Sequence, residues 1–230
     1  MKKVTKAIAA LMLMTVFFAT GCNKDDDVRV TYVDLGLPSG TLWATCNVGA
    51  DTPEGYGDYF AWGETQPKTT YNWITYRYCN GNYDQFTKYC NYSSYGYNGF
   101  TDDLTVLQPN DDAATANWGS GWCMPTYDQW EELYHNTTNV WTKRNGVNGR
   151  LFTASNGSSL FLPAAGRRGY DELYDAGGSG YYWSSSLITD YSYFPDFACY
   201  FYFSSDSYGM YYYLRSNGLS VRAVRPASQN

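Results

Sequence analysis

The frequency of turn-forming residues is the feature that most limits how this chain can fold. Its 230 residues include 22 glycines and 8 prolines, and beyond residue 30 serine, asparagine and aspartate also interrupt the apolar runs. The uninterrupted segments are short and aromatic, as in LFTAS, SLFLPAAG, GYYWSSS, FACYFYF, MYYYLR and GLSVRAVRP. Short runs of this composition between turn residues predict strands.

One segment, MPTYDQWEELYHN, predicts a helix. Thr126 and Gln129 stand three positions apart, the spacing of a capping box that satisfies two free backbone amides. Trp130, Leu133 and Tyr134 then form an apolar stripe at helical spacing. One or two helices packed on many short antiparallel strands predict a loop-rich α+β fold.

The first 21 residues predict a lipoprotein signal peptide. Lys2, Lys3 and Lys6 precede an apolar run that is too short for a comfortable membrane span. The residues before Cys22 resemble a bacterial lipobox, in which the cysteine is lipidated and becomes the new N-terminus. Residues 22–29 then form an acidic tether, and residues 30–230 are enough for one large domain. The expected location is the outer membrane, lipid-anchored and exposed at the cell surface; an ordinary secreted protein is the alternative.

Charge excludes one class of partner. Removal of the signal peptide leaves 13 basic against 22 acidic residues, a net charge of −9. Nucleic-acid affinity depends on Lys and Arg neutralising phosphates, so a nucleic-acid ligand is not expected. Contact with the membrane is expected through the lipid anchor only.

Five cysteines remain after Cys22, in an exported context where disulfides persist. Cys79 and Cys90 flank the loop-like segment NGNYDQFTKY, and we predict that a disulfide joins them. Cys46, Cys123 and Cys199 have no assigned partner. No CxxC pair or Cys/His cluster is present, so no metal site is predicted.

Four motifs in the same order carry a family resemblance. PTYDQWEEL, LFLPAAGRR, YYWSSS and GLSVRAVRP resemble the Fibrobacter major paralogous domain of bacterial surface lipoproteins. More distantly they resemble the formylglycine-generating-enzyme branch of the C-type lectin-like fold. The resemblance runs from about Tyr32 to Pro226 and implies a C-type lectin-like fold. Cys123 departs from it, because the family usually has arginine there.

The enzymatic activity of that distant relative is not carried over. Its copper site uses two closely spaced cysteines in the C-terminal half, whereas that half of this chain has only Cys123 and Cys199. The one histidine, His135, is predicted at a helix end, where it interacts with terminal carbonyls. We therefore expect no catalysis and no cofactor. A structural calcium ion is a remaining alternative, with four candidate ligands: Asp102, Asp103, Asp111 and Asp112.

Tyrosine is concentrated near the C-terminus. Residues 181–215 contain ten tyrosines, seven serines, four phenylalanines and three aspartates, and Tyr and Ser dominate antibody binding surfaces because they give contact area at low entropic cost. Within FACYFYF, alternation predicts that Phe201 and Phe203 face the core while Tyr200 and Tyr202 face solvent. The predicted ligand-binding residues are Ile188, Asp190, Tyr191, Tyr193, Phe194, Asp196, Phe197, Tyr200, Tyr202, Tyr208, Tyr211, Tyr213 and Ser216.

The same region has an unusual composition. Residues 184–225 contain no Lys, Glu, Gln or Trp and a single Met. Apart from that Met, the residues present are those reached by changing the adenines of an asparagine codon. This resembles the variable region of proteins diversified by retroelements through adenine mutagenesis, and it predicts a variable, ligand-binding region at about 184–217. The alternatives are that strands simply disfavour Lys and Glu, or that paralogous copies recombine.

The sequence thus predicts a cell-surface lipoprotein that binds a protein or glycan ligand through a Tyr/Ser/Asp-rich C-terminal face. Two other functions stay open. The first alternative is a structural surface or fimbria-tip component without a dedicated ligand site. The second alternative is a glycan-binding adhesin.

Overall fold

The computed structural model describes residues 31–188 and 195–226. Within them the chain forms thirteen strands, two α-helices and two short 3₁₀ helices, Tyr97–Gly99 and Pro109–Asp111. The α-helices are α1 (Ala113–Trp118) and α2 (Tyr127–His135). The strands are β1 (Tyr32–Asp34), β2 (Leu42–Ala44), β3 (Tyr59–Phe60), β4 (Thr137–Arg144), β5 (Val147–Ala154), β6 (Ser159–Pro163), β7 (Arg167–Gly169), β8 (Glu172–Tyr174), β9 (Gly180–Leu187), β10 (Phe197–Phe203), β11 (Tyr208–Leu214), β12 (Leu219–Ser220) and β13 (Val224–Arg225).

The strands form four sheets. The largest has the order β11-β10-β9-β12-β3, and two three-stranded sheets have the orders β1-β2-β13 and β4-β5-β6. Strands β7 and β8 form a separate hairpin. The pairings are antiparallel except that between β12 and β9.

The α+β prediction, with its C-type lectin-like arrangement of helices on short strands, is wrong. Strand residues account for 37% of the structure and helical residues for 11%, so the fold is largely β and sandwich-like. The capped helix exists, with the predicted reciprocal bonds between Thr126 and Gln129, but it has only nine residues. The segment after it forms the eight-residue strands β4 and β5, joined by an Asn145-Gly146 turn in which both residues have positive φ, 48° and 85°.

One hydrophobic core lies between the five-stranded sheet, the β4-β5-β6 sheet and α2. Phe201 and Phe203 of β10 are fully buried in it, as alternation along the strand predicts. The indole of Trp130 stacks on Phe201 with 4.9 Å between ring centroids and 9° between planes. Its Nε1–H also donates to the Trp183 carbonyl at 3.2 Å, so α2 is fixed to the sheet by both packing and a hydrogen bond.

A second core covers the opposite face of the same sheet. It combines Trp183 and Ala198 of the sheet with aromatic residues from the loop-rich segment 71–107, including Phe86 and Tyr89. Leu107 N–H donates to the Ser185 carbonyl at 2.9 Å, which attaches the end of that segment to β9. Both faces of the sheet are therefore largely covered.

Two arginines are fully buried and form no ion pair within the described residues. Arg215 lies 3.8 Å from the centroid of the Phe86 ring and donates to the carbonyls of Tyr89 and Pro195. Arg222 donates to Asn47 Oδ1 at 2.9 Å and to the backbone carbonyls of Ala44 and Thr45. Burial lowers the pKa of Arg222 to about 10. Neutral oxygens, not carboxylates, hold these charges in place.

The predicted Cys79–Cys90 disulfide is absent, because both thiols are free. Each makes a local hydrogen bond instead: Cys79 Sγ donates to the Trp73 carbonyl at 3.0 Å and Cys90 Sγ to the Tyr92 carbonyl at 3.2 Å. The loop is held by the burial of its aromatic side chains rather than by a covalent bond.

Replacing Trp130 with alanine should reduce the free energy of unfolding by about 3–5 kcal/mol, because it empties a buried aromatic site. Urea denaturation measures the change. Tyr83→Ala is the matched control, since Tyr83 is 48% exposed and a surface change there should stay within about 0.5 kcal/mol. Equal losses in both variants would contradict this assignment of the core.

Candidate functional site

Strands β9, β10 and β11 place five tyrosines on one face of the sheet. Tyr200 pairs directly with Tyr211, and Tyr202 pairs with Tyr181; Tyr213 lies two residues beyond Tyr211 and therefore shares its face. We call this group the tyrosine platform. It arises because aromatic residues occupy alternate positions in three neighbouring strands whose registers bring them side by side.

The rings of the tyrosine platform contact one another throughout. Tyr181 and Tyr200 stack with centroids 5.7 Å apart and planes 11° apart. Tyr213 lies 5.6 Å from Tyr200, and Tyr211 lies 5.7 Å from Tyr202 in an edge-to-face arrangement. Such contacts contribute about 0.5–1.5 kcal/mol each beyond area burial, so they favour this arrangement of the rings.

Exposure divides the platform into a floor and a rim. The floor consists of Tyr200 and Tyr181, which are 7% and 9% exposed. The rim consists of Tyr211, which is 45% exposed, and of the half-buried Tyr202 and Tyr213. The prediction that Tyr200 faces open solvent is therefore wrong. Tyr200 lies on the middle strand of the three, where rings from both neighbours close around it, whereas Tyr211 lies on the edge strand.

Four of the predicted ligand-binding residues fall on the segment 189–194, which lies outside the described residues: Asp190, Tyr191, Tyr193 and Phe194. Asp196 and Phe197 follow this segment and are half-buried. Burial raises the pKa of the Asp196 carboxyl. Neither residue is part of the platform.

Three other predicted residues lie away from the platform. Ile188 lines a cavity of about 340 Å³ together with Cys199 and Tyr212, which alternate with platform residues and so lie on the opposite face of the sheet. Tyr208 is 43% exposed, but it also belongs to that opposite face, with the Arg150 guanidinium 4.7 Å above its ring. Ser216 is 3% exposed and cannot contact a ligand.

An arginine and an aspartate that the sequence analysis missed border the platform. Arg167 of β7 has its guanidinium carbon 5.2 Å from the Tyr213 ring centroid and 5.7 Å from that of Tyr181. Its Nε lies 3.5 Å from Asp175 Oδ2, which also accepts a 2.9 Å hydrogen bond from the Tyr181 hydroxyl. Arg167 stands in the motif LFLPAAGRR, but its role depends on where the β7–β8 hairpin packs, which the motif does not reveal.

Burial keeps the phenols of Tyr181, Tyr200 and Tyr213 protonated and uncharged near neutral pH, because it raises the pKa of each. Burial, assisted by the hydrogen bond to Asp175, raises the pKa of Tyr181 to about 12. Burial also raises the pKa of Tyr213, although the charge of Arg167 opposes the change. A protonated phenol both donates and accepts hydrogen bonds, so the surface offers apolar rings together with neutral polar groups.

Three of the four acids proposed as calcium ligands, Asp102, Asp111 and Asp112, accept hydrogen bonds from donors of the protein itself. Asp111 accepts from the hydroxyls of Tyr78 and Tyr89 at 2.5 and 2.6 Å and from Lys88 at 2.5 Å. Burial opposes ionisation, but these bonds outweigh it and lower the pKa of the Asp111 carboxyl. Asp102 accepts from three backbone amides. Among the residues that the structure describes, no group of three or more His, Cys, Asp or Glu side chains is placed to hold a metal ion.

Comparison with known proteins adds one match. A family described as a domain of unknown function (DUF8237) matches residues 136–224, less than half of the chain. The match begins just before β4 and includes the whole tyrosine platform, Arg167 and Asp175. No curated protein and no solved structure gives a significant match.

Alkaline pH should destabilise the protein through the buried phenols. An unfolded tyrosine ionises near pH 10, whereas folded Tyr181 does so near 12, so its contribution is complete below pH 10 and is lost as pH rises to 12. In urea denaturation at pH 10–11.5, Tyr181→Phe should make the fall in unfolding free energy shallower by up to about 1.4 kcal/mol per pH unit. If the unfolding free energy fell with pH at the same slope in the wild-type protein and in the Tyr181→Phe variant, the raised pKa assigned to Tyr181 would be contradicted.

Proposed function

We propose that the tyrosine platform is the ligand-binding surface of a cell-surface lipoprotein. The observation that carries this proposal is the combination of exposed phenol rings with a buried aromatic floor. Tyr211 is 45% exposed although it contacts Tyr200 and Tyr202. A ring held in this way adds contact area to a complex while losing little conformational freedom on binding.

The surroundings of the platform extend this surface. The adjacent β7–β8 hairpin borders it with Arg167, whose guanidinium carbon lies 5.2 Å from the Tyr213 ring centroid and 4.9 Å from that of Tyr174. Isolated exposed apolar residues are common, but a contiguous group bordered by polar residues is characteristic of an interaction site. The ligand proposed here is a protein or a glycan. If it is a protein, a standard interface would bury about 800 Å² per partner.

Membrane attachment is the second part of the proposal. Cys22 and the tether at 22–29 lie outside the described residues, and the proposal rests on the signal-like sequence before them. No helix in the described part of the chain is long and apolar enough to cross a bilayer. An anchor on Cys22 at the outer membrane would present the domain at the cell surface.

The codon pattern supports one further element of the proposal, diversification of residues 184–217 by adenine mutagenesis. In the structure this range covers both rim positions, such as Tyr211, and the fully buried Arg215. Variation would be tolerated at exposed positions such as Tyr211, because a side chain there can change without leaving a cavity or an unpaired charge. A neighbouring reverse transcriptase gene with a near-copy of the coding segment would support this element, and its absence would remove it.

Replacing Tyr211 with alanine should weaken ligand binding at least tenfold without lowering the melting temperature by more than a few degrees, because the exposed ring contributes mainly to contact. The probe is the unlipidated mature chain applied to arrays of extracellular proteins and oligosaccharides. Tyr83→Ala is the matched control, since Tyr83 is similarly exposed at 48% but lies in the loop segment away from the platform.

Equal binding by the Tyr211 and Tyr83 variants would contradict a binding role for the platform. Self-association or stoichiometric co-purification of envelope proteins, unaffected by Tyr211→Ala, would instead favour the structural or fimbria-tip function.

Replacing Cys22 with serine should move the protein from the membrane fraction to the soluble fraction, because a serine hydroxyl cannot receive the thioether-linked lipid. Metabolic labelling with a radioactive fatty acid and cell fractionation measure this. An unlabelled wild-type protein, or a variant that stays in the membrane fraction, would contradict lipid anchoring through Cys22.

A further inference from the structure

The charges at the border of the tyrosine platform compensate each other. Arg167 Nε and Asp175 Oδ2 lie 3.5 Å apart, and their side chains are 23% and 45% exposed. The whole chain is acidic, with a net charge of −6, so the platform has no excess of positive charge to attract an acidic ligand. Long-range electrostatics therefore disfavours polyanions.

A cationic ligand is disfavoured for a different reason. The Arg167 guanidinium lies 4.9 Å from the Tyr174 ring centroid, 5.2 Å from that of Tyr213 and 5.7 Å from that of Tyr181. These are cation–π distances. The chain's own guanidinium already occupies this group of rings, and an external cation would have to displace it.

The phenol hydroxyls favour a polar ligand over an apolar one. Within the described residues, the hydroxyls of Tyr200, Tyr211 and Tyr213 have no hydrogen-bond partner, whereas those of Tyr181 and Tyr202 contact Asp175 and Ser179. A ligand that covers the platform without offering hydrogen bonds would leave these groups unsatisfied, at a cost for each. A ligand with many hydroxyl groups avoids that cost.

We infer that the platform binds a neutral glycan, an inference that rests on the proposed function above. The apolar face of a sugar ring would pack on the exposed ring of Tyr211. Sugar hydroxyls would donate to Asp175, where Oδ1 has no partner among the described residues, and would accept from Arg167. Hydrogen bonds to charged groups are stronger than those between neutral groups, so Asp175 and Arg167 set the orientation of the sugar.

The test uses the unlipidated mature chain on an array of immobilised neutral, sialylated and sulfated oligosaccharides, beside a panel of extracellular proteins. Binding is measured at about 0.1 M and about 1 M salt, where the Debye length falls from about 10 Å to about 3 Å. The variants are Asp175→Asn, Tyr211→Ala and the control Asp206→Asn. Asp175 has a positive φ of 59°, which asparagine tolerates, and Asp206 is an exposed acid of the β10–β11 turn.

The expected result is binding to neutral oligosaccharides that changes little with salt. Asp175→Asn should weaken it about tenfold or more, as for loss of a charged hydrogen-bond partner, and Asp206→Asn should leave it unchanged. Unfolding measurements on each variant exclude misfolding as the cause of a loss.

Two other results overturn the inference. They differ in whether the tyrosine platform is retained as a binding surface. Binding only to proteins or to acidic oligosaccharides, reduced by Tyr211→Ala, refutes the neutral glycan and retains the platform as a binding surface. Absence of binding to every probe, or binding that Tyr211→Ala does not change, refutes both proposals.

Discussion

The covering of strand β10 on both faces is the constraint on which the rest of the structure depends. Phe201 and Phe203 point into the core beneath α2 and the β4-β5-β6 sheet, while Ala198 and Tyr200 point into the core under the loop segment. An aromatic residue in the middle of this sheet has no route to solvent on either face. Among the described tyrosines of the platform, those on the edge strand β11 and near the end of β10 reach solvent, so the candidate surface consists of Tyr211, Tyr202 and Tyr213 around a buried floor.

The loop segment depends on the same sheet for its order. It contains little regular structure and no disulfide, yet its aromatic side chains are buried against Trp62 and the sheet. Arg215 joins the two parts, because its guanidinium packs on Phe86 and donates to the Tyr89 carbonyl while its backbone continues the β10–β11 pairing through Asp196. A buried cation held by carbonyl oxygens is costly to leave unpaired, so this contact requires the loop to lie where it does.

Local signals in the sequence predicted local structure well. The capping box at Thr126 predicted the start of α2, and alternation in FACYFYF predicted the burial of Phe201 and Phe203. The two-residue Asn145-Gly146 turn is a strong hairpin signal, and it indicates the β4–β5 hairpin and a more strongly β fold than the α+β prediction. The disulfide prediction failed because proximity in sequence between Cys79 and Cys90 carries no information about how the loop directs each thiol.

The sequence by itself determined the strand-rich character, the apolar side of β10 and the region where tyrosines concentrate, because these follow from the period of two along a strand and from residue composition. Tertiary structure alone decided which tyrosines reach solvent and which charged groups accompany them. Tyr200 and Tyr202 are equivalent in the alternation pattern, yet one is buried and the other half-buried, because exposure depends on the neighbouring strands and on what packs over them. Arg167 and Asp175 meet Tyr181 for the same reason: their contact comes from the packing of a hairpin against a sheet, which no local pattern encodes.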